Sequence, residues 1–124
     1  MKITLYHNNQ CSKSRAALAY LQEMGAEVQI IDYLTQALNE AELRQLASLL
    51  GITDNPRDMM RVDETDYRRL QLDQANHDAL FAALAAHPHL LQRPIAVCGF
   101  QAAIGRPLSQ IQELYQANLK AMKS

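Results

Sequence analysis

Several residue types and sequence features are scarce in this chain, and their scarcity limits the classes of protein to which it can belong. Its 124 residues include no Trp, two Phe, two Cys, four Gly and four Pro. No apolar run approaches the roughly 18 residues of a membrane span, so we expect no membrane contact. We find no internal repeat, linker or low-complexity tract. The length suits one domain over residues 1–124.

Positive charge is not in excess either. Twelve Lys and Arg residues are balanced by thirteen acidic ones, giving a net charge of −1. A nucleic-acid surface would need a basic excess, so we expect no such partner, although a small cluster of arginines around a small anion remains compatible. The opening "MKITLYHNN" has no long apolar segment, so we expect no signal peptide and a cytoplasmic location. There, two cysteines are more typical of free thiols than of a disulfide.

Hydrophobic periodicity predicts a βαβ unit at the start of the chain. "KITLYH" alternates as a strand over 2–7, a helical pattern runs from Ser12 to a stop at Gly25, and "EVQIIDYL" predicts a second strand over 27–33. A crossover helix makes the two strands parallel.

The middle of the chain is helical in pattern. Asn39 with Glu42 predicts a capping box, and Asn55 followed by Pro56 predicts a second helix start. A third helix is expected from about Asp78 to Ala86. Strands follow at 94–98 and 100–104, with a hairpin around Gly99, and a last helix starts near Pro107. The order predicts an α/β fold with a helical insertion, about residues 38–90, between strands 2 and 3.

Cys11 stands where the first strand gives way to the first helix. Free backbone N–H groups and the positive end of the helix dipole favour a thiolate there. Lys13 and Arg15 add positive potential, and His7 ends the strand on the same side. We therefore predict a nucleophilic cysteine. The competing interpretation is a small, half-buried residue with no chemistry.

Ser14 occupies the position where a C-x-x-C motif would have its second cysteine. It cannot form a disulfide with Cys11. Cys98 falls roughly 13 Å along the third strand, whereas a disulfide needs Cα atoms within about 7 Å. We expect Cys98 to be a buried core thiol, so a catalytic cycle through Cys11 would need a thiol from outside the chain.

Two Arg-Pro pairs, Arg93-Pro94 and Arg106-Pro107, precede the third strand and the last helix. Proline restrains the arginine before it, and a guanidinium group suits a tetrahedral oxyanion. Arg61 is a third candidate. Each could equally be a solvated surface arginine, and spacing alone does not show convergence on Cys11. The histidines of the chain match no zinc spacing, so we predict no metal site.

Taken together, these motifs resemble one family. "YHNNQCSKSR" resembles the Y-H-N-x-x-C-x-x-S-R signature of the glutaredoxin-coupled arsenate reductases, the ArsC family. "RPIAV" and "GRP" resemble that family's two R-P segments, and Arg61 falls where the family has an arginine within its helical insertion. The resemblance spans essentially the whole chain. It implies a thioredoxin-like fold, βαβ–ββα, with a four-stranded mixed sheet.

The resemblance also implies a reaction. Cys11 would attack arsenate held by Arg61, Arg93 and Arg106, and glutathione and glutaredoxin would complete reduction to arsenite, with no bound cofactor and a monomeric enzyme. The supporting residues implied are His7, Asn8, Ser14, Arg15 and Pro94, the last in a cis peptide bond. Asn9 departs from the family, which often has proline there.

Two other functions stay open on the sequence. One is a glutathione-dependent thiol reductase that acts on another electrophile and does not need all three arginines. The other is an Spx-type regulator that binds RNA polymerase. Many such regulators carry a C-x-x-C switch, which Ser14 removes here.

Overall fold

The computed structural model describes residues 1–123 and has four strands and five α-helices within that range. The strands are β1 (Lys2–His7), β2 (Glu27–Asp32), β3 (Ile95–Cys98) and β4 (Gln101–Ile104). The helices are α1 (Ser12–Glu23), α2 (Glu40–Leu50), α3 (Thr65–Arg69), α4 (His77–Ala86) and α5 (Ser109–Met122). Short 3-10 segments lie at Pro56–Met59, Leu72–Gln74 and Pro88–Leu90. Within residues 1–123, no helix has the length and apolar character to cross a membrane.

One compact unit combines Met1–Tyr33 with the segment that starts at Arg93. Its sheet has the order β2-β1-β3-β4. β1 and β2 are parallel, whereas β3 is antiparallel to both β1 and β4. This is the predicted four-stranded mixed sheet, and it confirms the thioredoxin-like fold with a helical insertion between β2 and β3.

The core of this unit lies between one face of the sheet and the helices α1 and α5. Strand alternation puts every second residue of β1 and β3 on that face. Its buried members are Ile3, Leu5, Ala17, Leu21, Ala96, Cys98, Ile111, Leu114 and Tyr115. Cys98 is only 3% exposed, so the predicted core thiol is confirmed.

The second compact unit is Leu34–Gln92 and contains α2, α3 and α4. The predicted capping box at the start of α2 is confirmed. The Asn39 side chain accepts a hydrogen bond from the Glu42 N–H at 2.8 Å, and the Glu42 carboxylate accepts one from the Asn39 N–H at 3.0 Å. Gly51 ends α2 with a φ of 75°, a left-handed conformation that favours glycine.

Two predicted helix starts lie close to the predicted positions but differ from the prediction in detail. Asn55 and Pro56 are the N-cap and the first residue of a helical segment, as predicted, but this segment is a 3-10 turn that ends before the extended Met60. The Asn55 side chain donates to the Asp58 carboxylate (3.0 Å) and makes no cap hydrogen bond. α5 begins at Ser109, two residues after Pro107. Its entry is a tighter turn, closed by a hydrogen bond from the Gln110 N–H to the Pro107 carbonyl at 3.1 Å.

Candidate active site

Cys11 is the N-cap residue of α1 and is partly exposed. Its backbone is extended, with φ −94° and ψ 122°. Its carbonyl accepts the first helical hydrogen bond, from the Arg15 N–H at 2.9 Å, and its own N–H donates to the Asn8 carbonyl at 3.0 Å. The predicted placement of this thiol at the strand-to-helix turn is therefore confirmed.

The surroundings of Cys11 favour the thiolate. Burial of the sulfur acts to raise the pKa of Cys11, but this is outweighed by the Ser14 N–H, by the hydrogen bond and charge of Arg93, and by the Lys13 N–H. The net effect lowers the pKa of Cys11 below its ordinary value. The thiol accepts no cap hydrogen bond of ordinary geometry from the helix. The Ser14 and Lys13 N–H groups thus act on the sulfur as weak donors at the positive end of α1.

Two of the three predicted arginines meet Cys11. A terminal nitrogen (Nη2) of Arg106 lies 3.6 Å from the Cys11 sulfur, and the Arg93 side chain is close enough to the same sulfur to lower the pKa of Cys11. The Nε of Arg106 donates to the Arg93 carbonyl at 2.7 Å, which fixes the plane of its guanidinium group. The Nε of Arg93 is buried and has no hydrogen-bond partner among residues 1–123. A buried donor without a partner therefore belongs to a side chain that lowers the pKa of Cys11.

The two Arg-Pro pairs lie side by side at the ends of β3 and β4. The antiparallel pairing of Ile95 with Ile104 continues as a hydrogen bond from the Gly105 N–H to the Pro94 carbonyl at 2.8 Å. Arg93-Pro94 is cis, as the resemblance implied. Arg106-Pro107 is also cis, which no sequence signal had indicated.

Ser14 has a structural role that the sequence did not reveal. It is fully buried, its hydroxyl accepts a hydrogen bond from the Asn8 N–H at 3.0 Å, and its oxygen lies 2.7 Å from Nδ1 of His7. His7 is 5% exposed. The Ser14 hydroxyl can donate to Nδ1 when the histidine proton is on Nε2. The hydroxyl thus ties the end of β1 to the first turn of α1.

The loop that precedes Cys11 is held by further side chains. The Asn8 carboxamide oxygen accepts from the Gln10 N–H at 3.0 Å. The Arg15 guanidinium donates to the Asn9 carbonyl at 3.0 Å. Asn9 stands where the family often has proline, and the Arg15 contact is one restraint on that residue.

Arg61 belongs to the second compact unit. Its guanidinium forms an ion pair with Glu64, and its N–H donates to the Leu90 carbonyl at 2.7 Å. Its expected part in substrate binding stays a prediction. The nearby Arg57 is structural, since one of its nitrogens donates to the carbonyls of Leu72 (2.8 Å), Asp73 (3.3 Å) and Ala75 (2.7 Å).

Cys98 lies at the opposite end of β3 from the Arg93-Pro94 pair. Its sulfur lies 3.3 Å from the Met1 thioether sulfur, and Cys98 is the last residue of β3, whereas Pro94 precedes the first. Burial raises the pKa of the Cys98 thiol. In the described part of the chain, no group of three or more His, Cys, Asp or Glu residues is arranged to hold a metal ion.

Known proteins are similar to this chain in sequence and fold. The model of the ArsC family matches residues 6–114. The arsenate reductase of Neisseria meningitidis serogroup A is 43% identical over 113 residues, which cover 90% of this chain and 96% of that protein. The uncharacterized protein YfgD of Escherichia coli K12 is 38% identical over 115 residues, covering 91% and 96% respectively. The structure of an arsenate reductase from Vibrio cholerae superposes with a TM-score of 0.87 at 46% identity, covering 91% of this chain and 97% of that one. The chain therefore belongs to the ArsC family.

Proposed function

We propose that this protein is an oxidoreductase that reduces arsenate to arsenite, with the Cys11 thiolate as nucleophile. The observation that carries the proposal is the buried, unpartnered Nε of Arg93 next to a thiol whose pKa is lowered. A tetrahedral oxyanion supplies the acceptor that this donor lacks, and it leaves an electrophilic centre within reach of the sulfur. The names of the Neisseria and Vibrio relatives support the same substrate.

The first step of the proposed reaction is attack of the Cys11 sulfur on As(V). A sulfur–arsenic bond forms, and one arsenate oxygen leaves as water after protonation. Arg93 and Arg106 would bind the remaining oxygens and stabilise the charge that accumulates on them. Arg106 suits this role because its Nε is already occupied by the Arg93 carbonyl and its Nη2 is directed to the sulfur.

The second step would use glutathione. Its thiolate attacks the Cys11 sulfur, the electron pair of the sulfur–arsenic bond stays on arsenic, and arsenite leaves as As(III). The two sulfurs are thereby oxidised to a Cys11–glutathione disulfide. Glutaredoxin would then attack the glutathione sulfur and release the Cys11 thiolate. An outside donor is required because Ser14 has no thiol and Cys98 is buried against Met1.

Arg61 is proposed as a third ligand of the oxyanion because of its place in the family pattern. Its partner Glu64 would have to yield to the substrate. Replacement of Arg61 by Ala should then raise KM for arsenate more than it lowers kcat. An unchanged KM would remove Arg61 from the proposal without affecting the roles of the other two arginines.

The test is a turnover assay with the full chain. Arsenite release is measured with arsenate, glutathione and glutaredoxin, for the intact protein, Cys11→Ser and Cys98→Ser. We expect turnover by the intact protein and by Cys98→Ser, and none by Cys11→Ser. Absence of arsenite from the intact protein, with glutathione and glutaredoxin and also with thioredoxin, would exclude arsenate as substrate. Turnover with thioredoxin in place of glutathione and glutaredoxin would instead refute the proposed electron donor.

A further inference from the structure

Gly105 lies where the two Arg-Pro segments come closest. It is buried between β4 and Arg106, and its N–H donates to the Pro94 carbonyl at 2.8 Å. A Cβ atom added at Gly105 would lie 2.7 Å from Cγ and 3.3 Å from Cδ of the Pro94 ring, and 2.7 Å from Cδ1 of Ile111. Contacts below 3.0 Å are not tolerated, so both the proline and the isoleucine would have to give way.

Glycine is not required at this position by its backbone conformation. The φ of Gly105 lies outside the left-handed region that favours glycine, so this φ is open to other residues. What leaves no room for a side chain is the approach of Pro94 and Ile111. The side chain of Pro94 is a rigid ring, whereas the side chain of Ile111, in the core, is flexible. Ile111 can therefore adjust more easily than Pro94, and displacement of the Pro94 ring is the change that matters for the active site.

The neighbours of this contact are the two arginines that meet Cys11. Arg93 directly precedes Pro94, and Arg106 directly follows Gly105. They are also joined by the hydrogen bond from Arg106 Nε to the Arg93 carbonyl at 2.7 Å. A shift of the Pro94 ring away from residue 105 would move the Arg93 carbonyl. Since that carbonyl anchors Arg106, both guanidinium groups would change their position relative to the Cys11 sulfur.

We propose that Gly105 is a positioning residue of the active site: the absence of its side chain lets Pro94 approach and thereby sets the distance of Arg93 and Arg106 from Cys11. The part of this inference that concerns oxyanion binding rests on the proposed function. The part that concerns the thiol does not, because it requires only that the arginines contact the sulfur.

The test uses Gly105→Ala in the full chain, with two readouts. The first is the rate of Cys11 alkylation by iodoacetamide against pH, in the Cys98→Ser background so that a single thiol reports. We expect the apparent pKa to rise, and a rise of about one pH unit would slow alkylation at lower pH about tenfold. The second is protection of Cys11 against alkylation by arsenate, which should weaken.

Ile111→Ala is the matched control, because it disturbs the other neighbour of Gly105 and leaves the Pro94 side untouched. It should lower the free energy of unfolding while the Cys11 pKa stays as in the parent. The double variant Gly105→Ala with Ile111→Ala removes the core clash and keeps the proline clash. It should be better folded than Gly105→Ala and still show the raised pKa, so the test survives if the single variant folds poorly.

Two results would overturn the inference. One is a Gly105→Ala protein, or its double variant, with the parental alkylation profile. The other is an Ile111→Ala control whose Cys11 pKa rises as much as that of Gly105→Ala, since the effect would then be a general loss of packing. A parent protein that arsenate does not protect would contradict the proposed function, while the alkylation profiles would still decide the role of Gly105.

Discussion

Replacement of Ser14 by Ala removes a buried hydroxyl that joins β1 to α1. The hydroxyl makes two contacts, at 3.0 Å with the Asn8 N–H and at 2.7 Å with His7 Nδ1. A hydrogen bond contributes about 1 kcal/mol net, and a buried polar group left without a partner costs about 1–3 kcal/mol. His7 is 5% exposed and cannot be rehydrated in place, whereas Asn8 is half-buried and can bind water. We therefore expect the free energy of unfolding to fall by about 2–3 kcal/mol.

Urea unfolding followed by far-UV circular dichroism measures this loss, and Ser12→Ala is the matched control. Ser12 lies in the same turn of α1 but is exposed, so its replacement should change the free energy of unfolding by no more than about 0.5 kcal/mol. The pKa of Cys11 should stay low in Ser14→Ala, because the backbone N–H of residue 14 and the Arg93 side chain remain.

Each half of this reasoning has its own refutation. Equal stability of Ser14→Ala and Ser12→Ala would show that the buried hydroxyl network contributes nothing measurable. A Cys11 pKa that returns to its ordinary value in Ser14→Ala would show that the thiolate depends on the serine hydroxyl or on His7. Backbone N–H groups and Arg93 would then not be its main support.

Three further outcomes are expected. Arg106→Lys keeps the charge but cannot donate to both the Arg93 carbonyl and the Cys11 sulfur. The kcat/KM for arsenate should therefore fall roughly 10- to 100-fold. An unchanged kcat/KM would contradict the role of these two contacts. Because the folded-state pKa of Cys11 is lowered, its thiolate adds stability that is complete above the unfolded value of about 8.5 and is lost as pH falls through the folded pKa. The difference in unfolding free energy between the intact protein and Cys11→Ser, measured in urea, should therefore shrink as the pH falls. A difference that does not depend on pH would contradict the lowered pKa of Cys11. Arg57→Ala leaves three carbonyls without their cation and should cost about 2–4 kcal/mol of unfolding free energy, against little for the exposed control Arg68→Ala.

The sequence located β1 and the start of α2 closely because local patterns encode them. Alternation over "KITLYH" identified β1, and the capping box at Asn39 gave the start of α2. These signals depend on neighbours within about four residues, so they survive without knowledge of the rest of the fold. The start of α5 was predicted near Pro107 and lies two residues later, since the residue type does not show that the first turn is closed by the hydrogen bond from the Gln110 N–H to the Pro107 carbonyl.

By itself the sequence determined the place of Cys11 at a helix N-terminus and the lack of a second thiol beside it, and it predicted Cys11 as the nucleophile. Those are properties of adjacent residues in "CSKSR". Only the tertiary structure decided that Arg93 and Arg106, 82 and 95 positions away from Cys11, contact its sulfur, because β-sheet pairing of β1, β3 and β4 brings those segments together. It also decided that Ser14 is a buried hydrogen-bonded hub and that Gly105 has no room for a side chain. Both depend on which distant atoms pack against them, and no local pattern carries that information.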